Sequence, residues 1–316
     1  MSRDGLQPGP RRINPIVLNP KQIAIRGVPQ DYGAGRRGVD MGASAIRVAN
    51  LNAHLEQLGY EVEDHGNLQV EQPEQARTKA NKAHHLEQIA DNCRRLASLI
   101  ARNQAFPLTL GGDHSIAAGT VAGITKRHRK EKLGLLWIDA HGDFNTPESS
   151  PSGNVHGMPL AAIAGLGAKE LTHLGARAPM MAASNIVLVG IRDIDAGEAR
   201  NIRQAGVTAF TMRDIDERGM RNVMAEALSI VTTNTTGFHL SLDMDALDPE
   251  YAPGVGTPVN GGLSYREAHL AMEMVHDRHS MLSMDVVEVN PVLDIANKTA
   301  ALAVELILSA MGKKIL

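Results

Sequence analysis

Short apolar runs alternate with longer stretches in which apolar positions recur every three or four residues, from about residue 21 to the end of the chain. The short runs predict strands at 22–28, 60–64, 106–110, 134–138, 186–191, 207–210, 237–242 and 281–287. The longer stretches predict helices near 43–58, 79–103, 115–129, 195–205, 214–231, 264–277 and 297–311. One helix start is marked locally: Ser264 stands three residues before Glu267, the spacing of a reciprocal capping pair. Strands alternating with helices predict an α/β fold, a parallel sheet with helices on both faces. No Pro/Gly/Ser-rich linker and no repeat divides the chain after residue 20. A single domain is therefore expected over 21–316. Pro8, Pro10, Pro15 and Pro20 predict an extended or disordered arm over 1–20.

Composition narrows the class. Hydrophobic residues at 43% suffice for a buried core, while a net charge of -3 and only 3% aromatics disfavour nucleic acid and anionic membranes as partners. The leader carries Arg3, Arg11 and Arg12 but no apolar run of the kind a secretory signal needs. Its prolines also oppose an amphipathic transit helix. The most apolar helical stretch, 300–311, is interrupted by Glu305 and is too short to span a bilayer. A soluble, cytoplasmic protein is expected. The lone Cys93 excludes an internal disulfide, fits a reducing compartment and falls in a helical pattern that predicts a buried apolar role.

The chemistry is carried by polar residues that follow three of the strands. After 134–138 comes Asp139-Ala140-His141-Gly142-Asp143; on an extended segment alternate side chains share a face, which would point Asp139, His141 and Asp143 the same way. After 237–242 comes Asp243-Met244-Asp245, and after 106–110 comes Gly111-Gly112-Asp113-His114-Ser115. Ligands of open parallel sheets bind beyond the carboxyl ends of the strands. Three such ends thus offer four carboxylates and two imidazoles to one crevice. That density of negative charge is unfavourable without cations, and two divalent ions would neutralise it. Oxygen-rich ligation with some imidazole suits Mn²⁺ better than a thiolate zinc site. Alone, each Asp-x-Asp reads as a turn or cap; three clusters at three strand ends favour a metal centre.

These segments, extended to Trp137-Ile138 on one side and Ala246-Leu247-Asp248-Pro249 on the other, resemble the signatures of the ureohydrolases. That family comprises arginases, agmatinases and related guanidino or formimino hydrolases, and the resemblance keeps order and spacing from about residue 23 onward. It implies a three-layer α/β/α fold around a mostly parallel eight-stranded sheet and two Mn²⁺ per subunit. One ion would be held by His114, Asp139, Asp143 and Asp243, the other by Asp139, His141, Asp243 and Asp245. It further implies hydroxide attack on a guanidinium carbon with Asp143 orienting the nucleophile, proton transfer through His156, and Glu288 against the substrate guanidinium. The last assignment is chemically apt, because a planar cation forks onto a carboxylate through paired charge-assisted bonds.

The loop from Asp143 to Asn154 and the segment 36–42 resemble the arginase version of these sequences. That likeness implies Asn145 and Ser152 as donors to a substrate α-carboxylate, and Asp195, with Glu198 nearby, as acceptor of its α-amino group. The implied reaction converts L-arginine and water to L-ornithine and urea, in a homotrimer or homohexamer. Agmatine or another guanidino compound is the alternative substrate. A silent binding homologue is the other alternative, but it would be marked by a lost metal ligand, and none is lost. Gly33-Ala34-Gly35-Arg36-Arg37-Gly38 has dinucleotide-binding spacing with Glu61 and Glu63 beyond it. Four residues separate its first glycine from the strand and two arginines sit inside it, which opposes that reading. A G-x-S-x-G nucleophile elbow is absent. The basic run Lys126-Arg127-His128-Arg129-Lys130 reads as a solvated helix end.

Overall fold

The structure, a computed structural model, describes residues 21–71 and 82–314. The arm expected over 1–20 and the first residues of the helix expected from 79 lie outside the described residues. The first half of the chain runs β1 (Gln22–Val28), α1 (Gly42–Val48), α2 (Leu51–Gln57), β2 (Glu61–Asn67), α3 (Leu86–Arg102), β3 (Phe106–Gly111), α4 (Ala117–Arg127), β4 (Leu133–Ile138), α5 (Pro159–Ile163) and α6 (Lys169–Thr172). It continues with β5 (Ile186–Ile191), α7 (Ala196–Ala205), β6 (Thr208–Thr211), α8 (Met212–Arg218), α9 (Met220–Thr232), β7 (Gly237–Asp243), α10 (Tyr265–Asp277), β8 (Met281–Val287) and α11 (Lys298–Ala310).

Among the described residues the eight strands form one sheet in the order β2-β1-β3-β8-β7-β4-β5-β6, every pair parallel. Parallel pairing requires crossovers, and the helices that make them cover both faces. Side-chain alternation divides each inner strand between two cores. In β4, Leu136 and Ile138 pack with α1, α2 and α8 to α11, whereas Leu133, Leu135 and Trp137 pack on the other side with α3, α4, α5 and α7. This is the expected three-layer architecture. On the second face, α3 and α4 approach closely because Gly119 faces Cys93: a Cβ there would lie 2.8 Å from the Cys93 Cα. Cys93 is buried as expected, and burial pushes its thiol up to about 12, which leaves it unreactive.

The short helices α5 and α6 were not expected, and α3 begins at Leu86, after the non-helical residues 82–85; the other differences sit at helix breaks and edges. The helix expected over 43–58 is two helices, parted at Asn50, which takes a left-handed φ of 63°. The one expected over 214–231 is likewise split, at Gly219 with φ 77°. Its first half begins earlier, at Met212, because Thr211 and Asp214 form a reciprocal capping box. The Ser264–Glu267 box predicted for α10 is present, each side chain accepting from the other's backbone N–H. Strand β2 runs on to Asn67, past its apolar residues, because the edge of the sheet exposes most of its side chains. No described helix is long and apolar enough to cross a membrane.

Candidate metal centre

Strands β3, β8, β7 and β4 lie side by side in the middle of the sheet, so their carboxyl ends meet. Three of these ends begin with the same local device. Asp113 accepts a hydrogen bond from Ser115 N at 3.0 Å, Asp139 from His141 N at 2.7 Å, and Asp243 from Asp245 N at 2.7 Å. An aspartate that accepts from the backbone two residues on turns the chain out of the strand. The turn-forming role that a lone Asp-x-Asp suggests is thus fulfilled by one carboxylate oxygen. In Asp139 and Asp243 the other oxygen remains for the crevice.

Those second oxygens converge. His114 Nδ1 lies 3.1 Å from Asp139 Oδ2, from Asp143 Oδ2 and from Asp243 Oδ2, and it makes no hydrogen bond of its own. His141 Nδ1 lies 3.1 Å from Asp245 Oδ2 and 3.4 Å from Asp139 Oδ1. Two groups can each hold a metal ion, His114–Asp139–Asp243 and Asp139–His141–Asp245, with Asp139 common to both. The segment after β4 is not extended throughout: Asp143 takes a left-handed φ of 48°, and its carboxylate meets His114. The indole of Trp137 stacks on His114 with centroids 4.0 Å apart and donates to Asp139 Oδ2 at 2.9 Å.

The electrostatics record the crowding. Burial and the charge of Asp139 push Asp143 up to about 6, and burial with Asp245 and Asp139 pushes Asp243 well above the usual carboxylate range. Burial opposes the ionised Asp139 as well, but His114 and His141 more than offset it and hold that carboxyl low. Burial likewise opposes a charged His114, and the carboxylates of Asp139, Asp143 and Asp243 reverse this, raising its pKa well above the ordinary value. A buried imidazole nitrogen without a hydrogen bond, ringed by three carboxylate oxygens, is the donor set that a divalent cation would satisfy.

Beside this cluster Glu288, at the end of β8, takes a left-handed φ of 63° and is almost fully buried. Its Oε1 accepts from His114 N at 2.8 Å and lies 3.1 Å from His156 Nδ1, while its Oε2 has no partner. Burial alone would lower the His156 pKa; the hydrogen bond and charge of Glu288 outweigh it and push the ring up to about 9. A cleft of about 210 Å³ opens over the cluster, lined among others by His141, Asp143, Asn145, His156, Asp195 and Glu198. Asn145 Nδ2 donates to Asp195 Oδ2 at 2.7 Å, and Asp195 Oδ1 caps α7 through the N–H groups of Gly197 and Glu198. Glu198 accepts from Phe144 N at 2.8 Å, and burial pushes it up to about 8.

Ser152 lies at the surface, on the loop that follows Asp143. Its side chain is exposed, and its hydroxyl accepts from Asn154 N at 3.1 Å. The cleft also recruits Asp193, Gly157 and Thr257, which sequence reasoning passed over. Thr257 donates to Asp245 Oδ2 at 2.9 Å from a loop that no strand or helix pattern marks.

Comparison with known proteins places these features in context. A model of the arginase family matches residues 21–312. The chain is 50% identical to the arginase of Brevibacillus brevis over 299 residues, covering 94% of this chain and 99% of that relative. The native structure of Bacillus caldovelox arginase is similar with a TM-score of 0.90 at 48% identity, covering 94% of this chain and 100% of that one. The structure of Entamoeba histolytica arginase in complex with L-ornithine is similar with a TM-score of 0.86 at 33% identity, covering 93% and 99% of the two chains.

Proposed function

The chain belongs to the arginase family, and from that premise we propose that this hydrolase converts L-arginine and water to L-ornithine and urea with two Mn²⁺ per subunit. The observation that carries the reading is the pair of His–carboxylate groups sharing Asp139, set beside a buried glutamate with one oxygen free. His114, Asp139, Asp143 and Asp243 would hold one ion, and Asp139, His141, Asp243 and Asp245 the other. When bound, two such cations make a water nucleophilic near neutral pH and leave the acidic cluster neutral.

The residues of the chain supply the rest. Glu288 Oε1 is already committed to His114 N and His156, so Oε2 is the acceptor left for a guanidinium N–H. That contact sets the guanidinium carbon over the acidic floor. Asp143 accepts a hydrogen bond from the attacking water. His156, protonated at neutral pH, keeps its Nδ1 proton against Glu288 and has the Nε2 proton to give to the departing amine, which is otherwise a poor leaving group.

At the other end of the substrate, Asp195 Oδ2 takes the α-ammonium, and Asn145, tethered to it, donates to the α-carboxylate together with Ser152 from the same loop. Glu198 ionises when the ammonium arrives beside it. Chelator-stripped protein is expected to release no urea from L-arginine and to recover turnover on reloading with Mn²⁺, at two ions per chain by elemental analysis. Turnover by metal-free protein, or an active protein saturating below two, would contradict the proposal.

A further inference from the structure

Beneath the acidic cluster the apolar interior of β7 and β8 is interrupted by four polar side chains, all fully buried: His239, Ser241, Ser283 and Asp285. They form a ladder because the parallel register pairs His239 with Ser283 and Ser241 with Asp285, on one face of adjoining strands. Ser241 Oγ lies 2.5 Å from Asp285 Oδ1, His239 Nε2 3.0 Å from Asp285 Oδ2, and His239 Nδ1 2.7 Å from Ser283 Oγ. At its upper end Ser241 Oγ lies 2.8 Å from His114 Nε2.

Counting protons along this ladder fixes a tautomer. Burial opposes ionisation of Asp285, but His239, by charge and hydrogen bond, more than offsets it and holds the carboxyl below its usual range. An ionised carboxylate only accepts, so both neighbours must donate to it. Ser241 therefore gives its single proton to Asp285 and can only accept from His114. In the neutral imidazole that a metal ligand must be, the hydrogen of His114 is thus placed on Nε2 and the lone pair on Nδ1. Nδ1 is the atom that faces Asp139, Asp143 and Asp243 without a hydrogen bond. A ring flip would break the contact with Ser241.

We infer that Asp285 is a positioning residue for His114: through Ser241 it sets the imidazole tautomer and orientation that present Nδ1 to a cation, while His239, itself held by Ser283, holds Asp285 in place. A buried ionic ladder is a poor way to stabilise a fold, since apolar side chains of similar volume often serve as well or better. Its direction toward one metal ligand gives it a different use, the hydrogen-bonded support that orients a histidine and raises its basicity.

This inference rests on the two-cation reading, and its test separates the two. Mn²⁺ binding is measured by the electron paramagnetic resonance signal of free Mn²⁺ in wild type, Ser241→Ala and Asp285→Asn, together with the melting temperature of each metal-free protein. The wild type is expected to bind two ions. Each variant is expected to weaken one of the two sites by about 10- to 100-fold, with the other site and the metal-free melting temperature close to wild type. Fewer than two ions in the wild type overturns the two-cation reading itself. Two wild-type affinities in both variants, or equal weakening of both sites with a matching fall in the metal-free melting temperature, overturns the positioning role alone. If Asp285→Asn does not fold, Ser241→Ala, which removes one hydroxyl, decides the matter.

Discussion

Glu288 and His156 show how a single carboxylate can serve two partners. One oxygen holds His156 protonated and the other stands free beside the acidic floor. His156→Ala is expected to leave metal content intact and to lower kcat by about 10²-fold or less, the low end for general acid catalysis. The sign with pH follows from its raised pKa: the protonated form prevails below about 9, so this contribution is lost as pH rises through that value. Glu198, pushed up to about 8, titrates nearby, so the difference between wild-type and variant rate profiles isolates His156. Identical profiles and rates would remove His156 from the reaction. The metal-ligand candidates were legible in the sequence because a strand end followed by Asp-x-His or Asp-x-Asp both turns the chain and aims carboxylates. His156 and Glu288 were each singled out by resemblance, but their pairing was not legible, since it joins residues far apart in the chain. His239 and Asp285 were not legible at all, because a polar residue inside a strand pattern does not reveal which neighbouring strand will meet it.

At the scale of elements, apolar runs located all eight strands, and the central ones were clear because both faces are covered. Apolar periodicity did not show the interruptions at Asn50 and Gly219, where one left-handed residue breaks a helix without disturbing the pattern on either side. Capping chemistry was the better guide to helix starts. Ser264→Ala removes the side-chain acceptor for Glu267 N and is expected to destabilise the fold by about 1 kcal/mol. Chemical denaturation of the metal-free protein checks this, and an unchanged midpoint would show that the box contributes nothing to α10. The helix lies outside the cleft, so kcat/KM for the folded enzyme should be unaffected.

The whole molecule supplies what no segment shows, the strand order β3-β8-β7-β4 that brings four distant stretches of chain to one edge. Periodicity implied a parallel sheet but not this order, in which the third strand's inner neighbour is the last in the sequence. The same assembly concentrates four buried carboxylates, so cation binding to the native state should also raise the melting temperature, and chelation should lower it. Substrate choice is likewise a property of the assembled cleft. The acidic floor and Glu288 are proposed to meet the guanidinium end, common to arginine and agmatine, and Asn145, Ser152 and Asp195 the α-carboxylate and α-amino group; agmatine lacks the carboxylate. A site built to hydrogen-bond a group loses affinity for an analogue without it, by less when water can replace the group. The most direct test is therefore kcat/KM of the Mn²⁺-loaded protein for both substrates, measured side by side by urea release. L-arginine should exceed agmatine by at least about 10²-fold, and Asn145→Ala should shrink the ratio mainly by weakening arginine. Equal turnover of agmatine, or no urea from arginine, would contradict the account.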